Sequence, residues 1–177
     1  MRSETHSINA NIVESVMNRR RFLTRAAGAA AGAASLSGLH AADAPPAPIV
    51  KVVKTDAEWK KLLTPAAYDV LRHEGTEYPG TSPLNNEKRK GTFVCAGCDL
   101  LLFESKTKYD SGTGWPSFYD FVKGALETKV DMKLMLPRTE YHCARCGGHH
   151  GHIFDDGPKP TGKRYCNNGL ALKFVPT

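Results

Sequence analysis

No run of apolar residues in the 177-residue sequence is long enough to cross a bilayer, which takes about 20 in succession. Nor is there a strong excess of one charge. The net +6 is shared between the first 41 residues, with five basic and two acidic side chains, and the remainder, with 19 and 16. With no basic run longer than Lys88-Arg89-Lys90, the mature chain lacks the footprint of a nucleic-acid binder and is expected to have no such partner. No internal repeat is present beyond a duplicated C-x2-C, and no H-x-E precedes a P-C-x-x-C, which excludes a zinc deaminase. Aromatic residues are only 8% of the chain and cysteines number five.

Those five carry most of the information. Cys95 and Cys98 form one C-x2-C, Cys143 and Cys146 a second, about 45 residues on. Tight turns at this spacing point both sulfurs inward, and two such turns complete a closed tetrahedral zinc site. A disulfide framework and a redox dithiol are the other uses of such pairs. The duplication, without a thioredoxin-like βαβ pattern around it, argues for one structural Zn2+ per chain. A four-sulfur site has no open position and is not expected to be catalytic.

Cys166 is left over, in Arg164-Tyr165-Cys166-Asn167-Asn168. If this segment is extended, Arg164, Cys166 and Asn168 share one face. A thiolate is the reactive form of cysteine, and a nearby cation lowers its pKa from about 8.5. Arg164 and the cluster His149-His150-Gly151-His152 are candidates for that field. The alternative is an inert buried thiol in an exported zinc-ribbon binding module.

Residues 1–42 read as an address. Arg19-Arg20-Arg21-Phe22-Leu23 followed by an Ala/Gly-rich stretch resembles a twin-arginine signal, and Asp43 to Val50 a linker. Export to the periplasm without stable membrane insertion of the mature protein is expected. Residues 51–177 form the single domain. Thr55-x-x-Glu58 is a capping box opening one short helix, Thr64-Pro65 opens a second, and Gly75 is the expected stop. From Gly91 the pattern is β, with strands expected at Thr92–Cys95, Leu100–Phe103, Leu126–Asp131, Lys133–Pro137, Thr139–Cys143, His152–Phe154 and Leu170–Val175. The fold class is mainly β: antiparallel sheets, short N-terminal helices, and a zinc site bridging the two knuckles.

Several longer motifs then agree with one another. Gly75-Thr76-Glu77, the run Lys108 to Phe118 with Gly114-Trp115-Pro116-Ser117-Phe118, His149 to Phe154, Asp156-Gly157-Pro158 and Arg164 to Asn168 resemble the methionine sulfoxide reductase B family, from about Trp59 to Phe174. The resemblance implies two antiparallel sheets with structural zinc, and reduction of methionine R-sulfoxide in oxidised proteins. It implies Cys166 as nucleophile, His149 and His152 as the proton source, and Asn168 as a fixing group. Arg164 and Asp156 match an orienting pair, Trp115 the plate for the substrate methyl, and Phe154 another pocket wall. Many relatives carry a resolving cysteine just before the G-W-P-S-F run, where this chain has Thr113. A single-cysteine enzyme regenerated by a thioredoxin-like or other external thiol is therefore expected, and a monomer is expected as well. Other departures are Gly80 for Phe, His150 for Leu, Asn167 for an aliphatic residue and Gly169 for Ser.

Overall fold

A computed structural model describes residues 48–177. The signal-like stretch 1–42 and most of the linker lie outside the described residues. Two short helices open the described chain, α1 (Asp56–Leu62) and α2 (Pro65–His73). The Thr55 and Glu58 side chains each accept from the other's backbone N–H, which completes the box read from sequence. Thr64 caps α2 in the same way, with Pro65 at the first position, where a missing N–H costs nothing.

The end of α2 differs from expectation. The left-handed residue is Glu74 (φ 58°), not Gly75. Glu74 is held there because its carboxylate pairs with Lys129 and Lys133. Gly75 serves close approach instead: a Cβ on it would lie 2.1 Å from the Asp69 carboxylate.

Nine strands follow in two antiparallel sheets. One sheet has the order β2 (Leu101–Glu104), β1 (Gly91–Cys95), β9 (Leu172–Pro176). The other runs β3 (Lys108–Tyr109), β4 (Ser117–Phe118), β8 (Arg164–Asn167), β7 (His149–Phe154), β6 (Arg138–Cys143), β5 (Leu126–Asp131). The scarce aromatics are concentrated in the core, where Phe93, Phe103, Phe118 and Tyr141 are fully buried. Phe103 stacks on Phe118 at 4.1 Å, and Tyr165 meets Tyr141 edge-on at 5.6 Å. Such pairs contribute beyond the area they bury, by about 0.5–1.5 kcal/mol each.

Two expected strands are corrected. Lys133–Pro137 is a loop, because Asp131 pairs with Arg138 at the mouth of the β5–β6 hairpin. The Lys133 N–H donates to the Asp131 carboxylate, turning the chain at once. Leu170–Val175 begins only at Leu172, since Gly169–Ala171 form a 3-10 turn. That turn ends β8 at Asn167, just past Cys166.

Candidate active site and metal centre

Each C-x2-C knuckle sits at the end of a strand, Cys95 closing β1 and Cys143 closing β6. Each turn then closes on its first cysteine: the Asp99 N–H donates to the Cys95 carbonyl and the Gly147 N–H to that of Cys143. Both donors have positive φ, so the two turns have matching shapes. The four sulfurs all lie within 4.8 Å of one another. Across the knuckles, Cys95 Sγ is 3.6 Å from Cys146 Sγ and Cys98 Sγ 3.5 Å from Cys143 Sγ. An ion with about 2.3 Å sulfur bonds in a tetrahedron needs edges of about 3.8 Å, so the donor set fits one. All five cysteines are free thiols rather than disulfides. Arg72 and Arg145 donate to the Cys146 and Cys98 carbonyls, fastening the knuckles to α2 and to each other.

The second cluster is built by strand register. Cys166 on β8 pairs with His152 on β7 and with Ser117 on β4. β7 and β8 approach closely at Gly151, where a Cβ would strike the Cys166 carbonyl at 1.9 Å. Cys166 lines a pocket of about 130 Å3 together with Trp115, His152, Phe154, Asn168, Thr76 and Arg138. That volume is the share of about four water molecules, room for the end of one side chain.

Of the candidates singled out in the sequence, Cys166, His152, Asn168, Trp115 and Phe154 line this pocket. His149 lies deeper, 3% exposed, its ring 5.6 Å from that of His152. Arg164 and Asp156 form a two-pronged ion pair at 2.7 and 2.8 Å, and the guanidinium lies 4.2 Å from the centre of the Phe154 ring. This fixes the ring that borders the pocket. Asn168 does not continue the face of β8, since the strand has ended. Its amide instead ties together two segments, accepting from the Glu77 N–H and donating to the His150 carbonyl at 3.0 Å each.

Several groups at the site were not singled out from sequence. His149 Nδ1 is 2.8 Å from Glu140, a carboxylate 2% exposed that also pairs with Lys129 at 3.0 Å. His152 Nε2 is 2.7 Å from Asp131, which Arg138 also holds. Each histidine thus has its own carboxylate. The Asp131 carboxyl is held well below the usual range by the Lys133 N–H, then by His152 and Arg138. Glu77 is the third such group. Its carboxylate accepts from the Gly169 and Leu170 N–H groups, and its carbonyl from the Trp115 indole. It therefore ties the aromatic wall to the turn that follows Cys166. The only signal in the sequence was its place in Gly75-Thr76-Glu77.

The thiol does not have the simple low-pKa setting expected of it. Burial pushes Cys166 above its ordinary value, while Arg164 and a hydrogen bond from Thr113 pull the other way and lose. Thr113 starts a hydroxyl chain, Thr113 to Ser111 at 2.8 Å and Ser111 to Ser117 at 2.7 Å. Burial lowers the pKa of His149, partly offset by Glu140. Behind the strand, His150 is fully buried and pushed down to about 3 by that burial, with Asn167 beside it pulling the other way. No polar side-chain atom of His150 or Asn167 makes a well-formed hydrogen bond among the described residues.

Comparison with known proteins places these motifs in context. The SelR domain family matches residues 63–176. A peptide methionine sulfoxide reductase MsrB of Leptospira interrogans is 53% identical over 125 residues, covering 70% of this chain and 95% of the relative. The protein of the same name from Methanosarcina barkeri is 52% identical, covering 70% and 87%. That of Agrobacterium fabrum is also 52% identical, covering 71% and 94%.

Proposed function

The chain belongs to the methionine sulfoxide reductase B family and is an oxidoreductase of the peptide-methionine (R)-S-oxide reductase class; on that premise we propose that Cys166 carries out the reduction alone and is regenerated by an external thiol. The observation behind this reading is the position of Cys166. It is the one cysteine outside the four-sulfur cluster, and it lines a small pocket with an indole, a phenyl ring and an imidazole.

The substrate is the sulfoxide of a methionine in an oxidised protein. Its methyl packs on Trp115 and Phe154, since soft sulfur-bearing groups pack well on rings. Cys166 thiolate attacks the sulfoxide sulfur. The oxygen departs well only if protonated, and His152, held by Asp131, supplies that proton. His149, held by Glu140, stands next to His152 as the inner member of the relay. Arg164 and Asp156 keep the Phe154 wall in place, and Asn168 fixes the turn after the nucleophile. The net step transfers one oxygen: thiol and sulfoxide become Cys166 sulfenic acid and thioether. A first external thiol then condenses with the sulfenic acid, releasing water and leaving a mixed disulfide. A second thiol displaces Cys166 as free thiol and leaves as the disulfide. Thr113 supports this route, because the residue just before Gly114-Trp115-Pro116-Ser117-Phe118 carries a hydroxyl, which cannot form an internal disulfide. A thioredoxin-like dithiol would supply both equivalents.

Four thiolates at this spacing suit zinc, which when bound would hold the two knuckles together and take no part in the oxygen transfer. The reading also includes a monomeric mature protein, exported to the periplasm behind the twin-arginine-like residues 1–42.

The experiment is turnover of separate R and S sulfoxides by wild type and Cys166→Ser, with metal measured on the same samples. The expected result is turnover of the R epimer alone, lost in the variant, with about one zinc per chain in both. Turnover of both epimers, or activity surviving in the variant, would refute it.

A further inference from the structure

Five of the eleven exposed large apolar residues among those described fall within one short stretch: Val130, Met132, Leu134, Met135 and Leu136. Met135 is 98% exposed and Leu136 77%. Single exposed leucines are ordinary on a protein surface, but a contiguous run marks something that binds there. The run belongs mainly to the loop between β5 and β6. With Pro137, Ile153 and Phe154, the segment Leu134–Leu136 walls an open groove of about 720 Å3.

The groove is continuous with the site. Arg138 and Phe154 line both it and the 130 Å3 pocket that holds Cys166. Its charged groups are already engaged, Arg138 with Asp131 at 2.6 Å and Asp155 with Lys163. What remains to meet an occupant is mostly hydrocarbon. The inner pocket has room for one side-chain end only, so a protein-borne sulfoxide must lay its neighbouring residues outside that pocket, and this groove adjoins it.

We propose that the groove between the β5–β6 loop and the end of β7 is a substrate subsite that receives apolar side chains flanking the sulfoxide in an extended, unfolded polypeptide. This rests on the reading that Cys166 reduces protein-bound sulfoxides. It adds a preference: sulfoxides in segments that belong to hydrophobic cores, exposed when an oxidised protein opens, are taken ahead of those in acidic surface segments. Burying two or three apolar side chains against Leu134, Met135, Leu136 and Ile153 supplies the discrimination.

The test compares kcat/KM for three R-sulfoxide substrates on wild type and on the double variant Met135→Ser, Leu136→Ser. The substrates are N-acetyl-methionine sulfoxide amide, a pentapeptide with Val and Leu around the sulfoxide, and one with Asp and Ser there. Wild type should favour the apolar over the acidic peptide by about 10-fold, equivalent to about 1.4 kcal/mol. The double variant should bring that ratio to within about 2-fold, while turning over the small amide as wild type does. An unchanged ratio in the variant, or no preference in wild type, would overturn the proposal. So would a change in oligomeric state on loop substitution, which would make the groove a contact between two copies. Failure of wild type to reduce even the small amide would instead count against the reading of Cys166.

Discussion

Cys166 is pulled in two directions by its own surroundings. Burial favours the neutral thiol, while Arg164 and the Thr113 hydroxyl favour the thiolate, and burial prevails. The thiolate therefore accumulates only as pH rises past the ordinary thiol value of about 8.5. The rate of alkylation of Cys166 by iodoacetamide should climb with a midpoint above that value. Replacing Arg164 with Met removes the largest opposing influence and should move the midpoint higher still. A wild-type midpoint below 8 would contradict this account of the site. His150 and Asn167 give a second prediction at this scale. Both are buried without good hydrogen bonds, where the resemblance leads one to expect aliphatic residues. His150→Leu with Asn167→Ile should stabilise the protein at neutral pH by about 1–3 kcal/mol. Because the folded ring resists protonation down to about 3 while the unfolded ring takes a proton near 6.5, the wild type loses stability as pH falls between those values. The gap between variant and wild type in urea melts should widen from pH 7 to pH 5, and a constant gap would contradict the assignment. Of the site's geometry, the nearness of Cys166, His152 and His149 was legible because their neighbours in sequence are distinctive. Asp131 and Glu140 were not, since only the pairing of β5, β6 and β7 brings them to His152 and His149.

Elements were legible where the determinants are local. The Thr55–Glu58 box and Thr64-Pro65 specify two helix starts within four residues each, and both formed. The stop of α2 was not legible, because Glu74 takes the left-handed position under the pull of Lys129 and Lys133, more than 50 residues away. Lys133–Pro137 holds a short apolar run, Leu134-Met135-Leu136, of the kind a buried strand also shows. Hairpin closure at Asp131 and Arg138 leaves those residues with no strand to pair. The strands β3 and β4, two residues each, carry no periodicity at all. Glu74 provides the test at this scale. Its two lysine partners lower its carboxyl to about 2 from the usual 4.5, so the ion pairs stabilise the fold above pH 4.5 and are lost as pH falls through about 2. Since the lysines are half exposed, screening leaves about 1 kcal/mol at neutral pH. Glu74→Gln should show that deficit at pH 7 in denaturant melts and none near pH 2. A deficit that persists at pH 2 would place its cause elsewhere.

Across the whole molecule, the four-sulfur cluster bridges the two sheets, while the fifth sulfur lies within the larger one, over one aromatic core. β1 and β6 carry the knuckles that gather four sulfurs, while β4, β7 and β8 bring Cys166 under Trp115 and beside His152. Division of five cysteines into four and one was visible in their spacing, and the fold keeps it. The central claim is that the fifth sulfur alone accepts the oxygen. Single turnover without added thiol tests this most directly: protein is mixed with excess methionine R-sulfoxide substrate and a sulfenic-acid trap, then the methionine formed and the site of labelling are measured. The account predicts about one methionine per chain and one adduct, on Cys166, with the other four thiols unchanged. Loss of two thiols per methionine, with a disulfide joining Cys166 to a knuckle cysteine and no adduct, would contradict it.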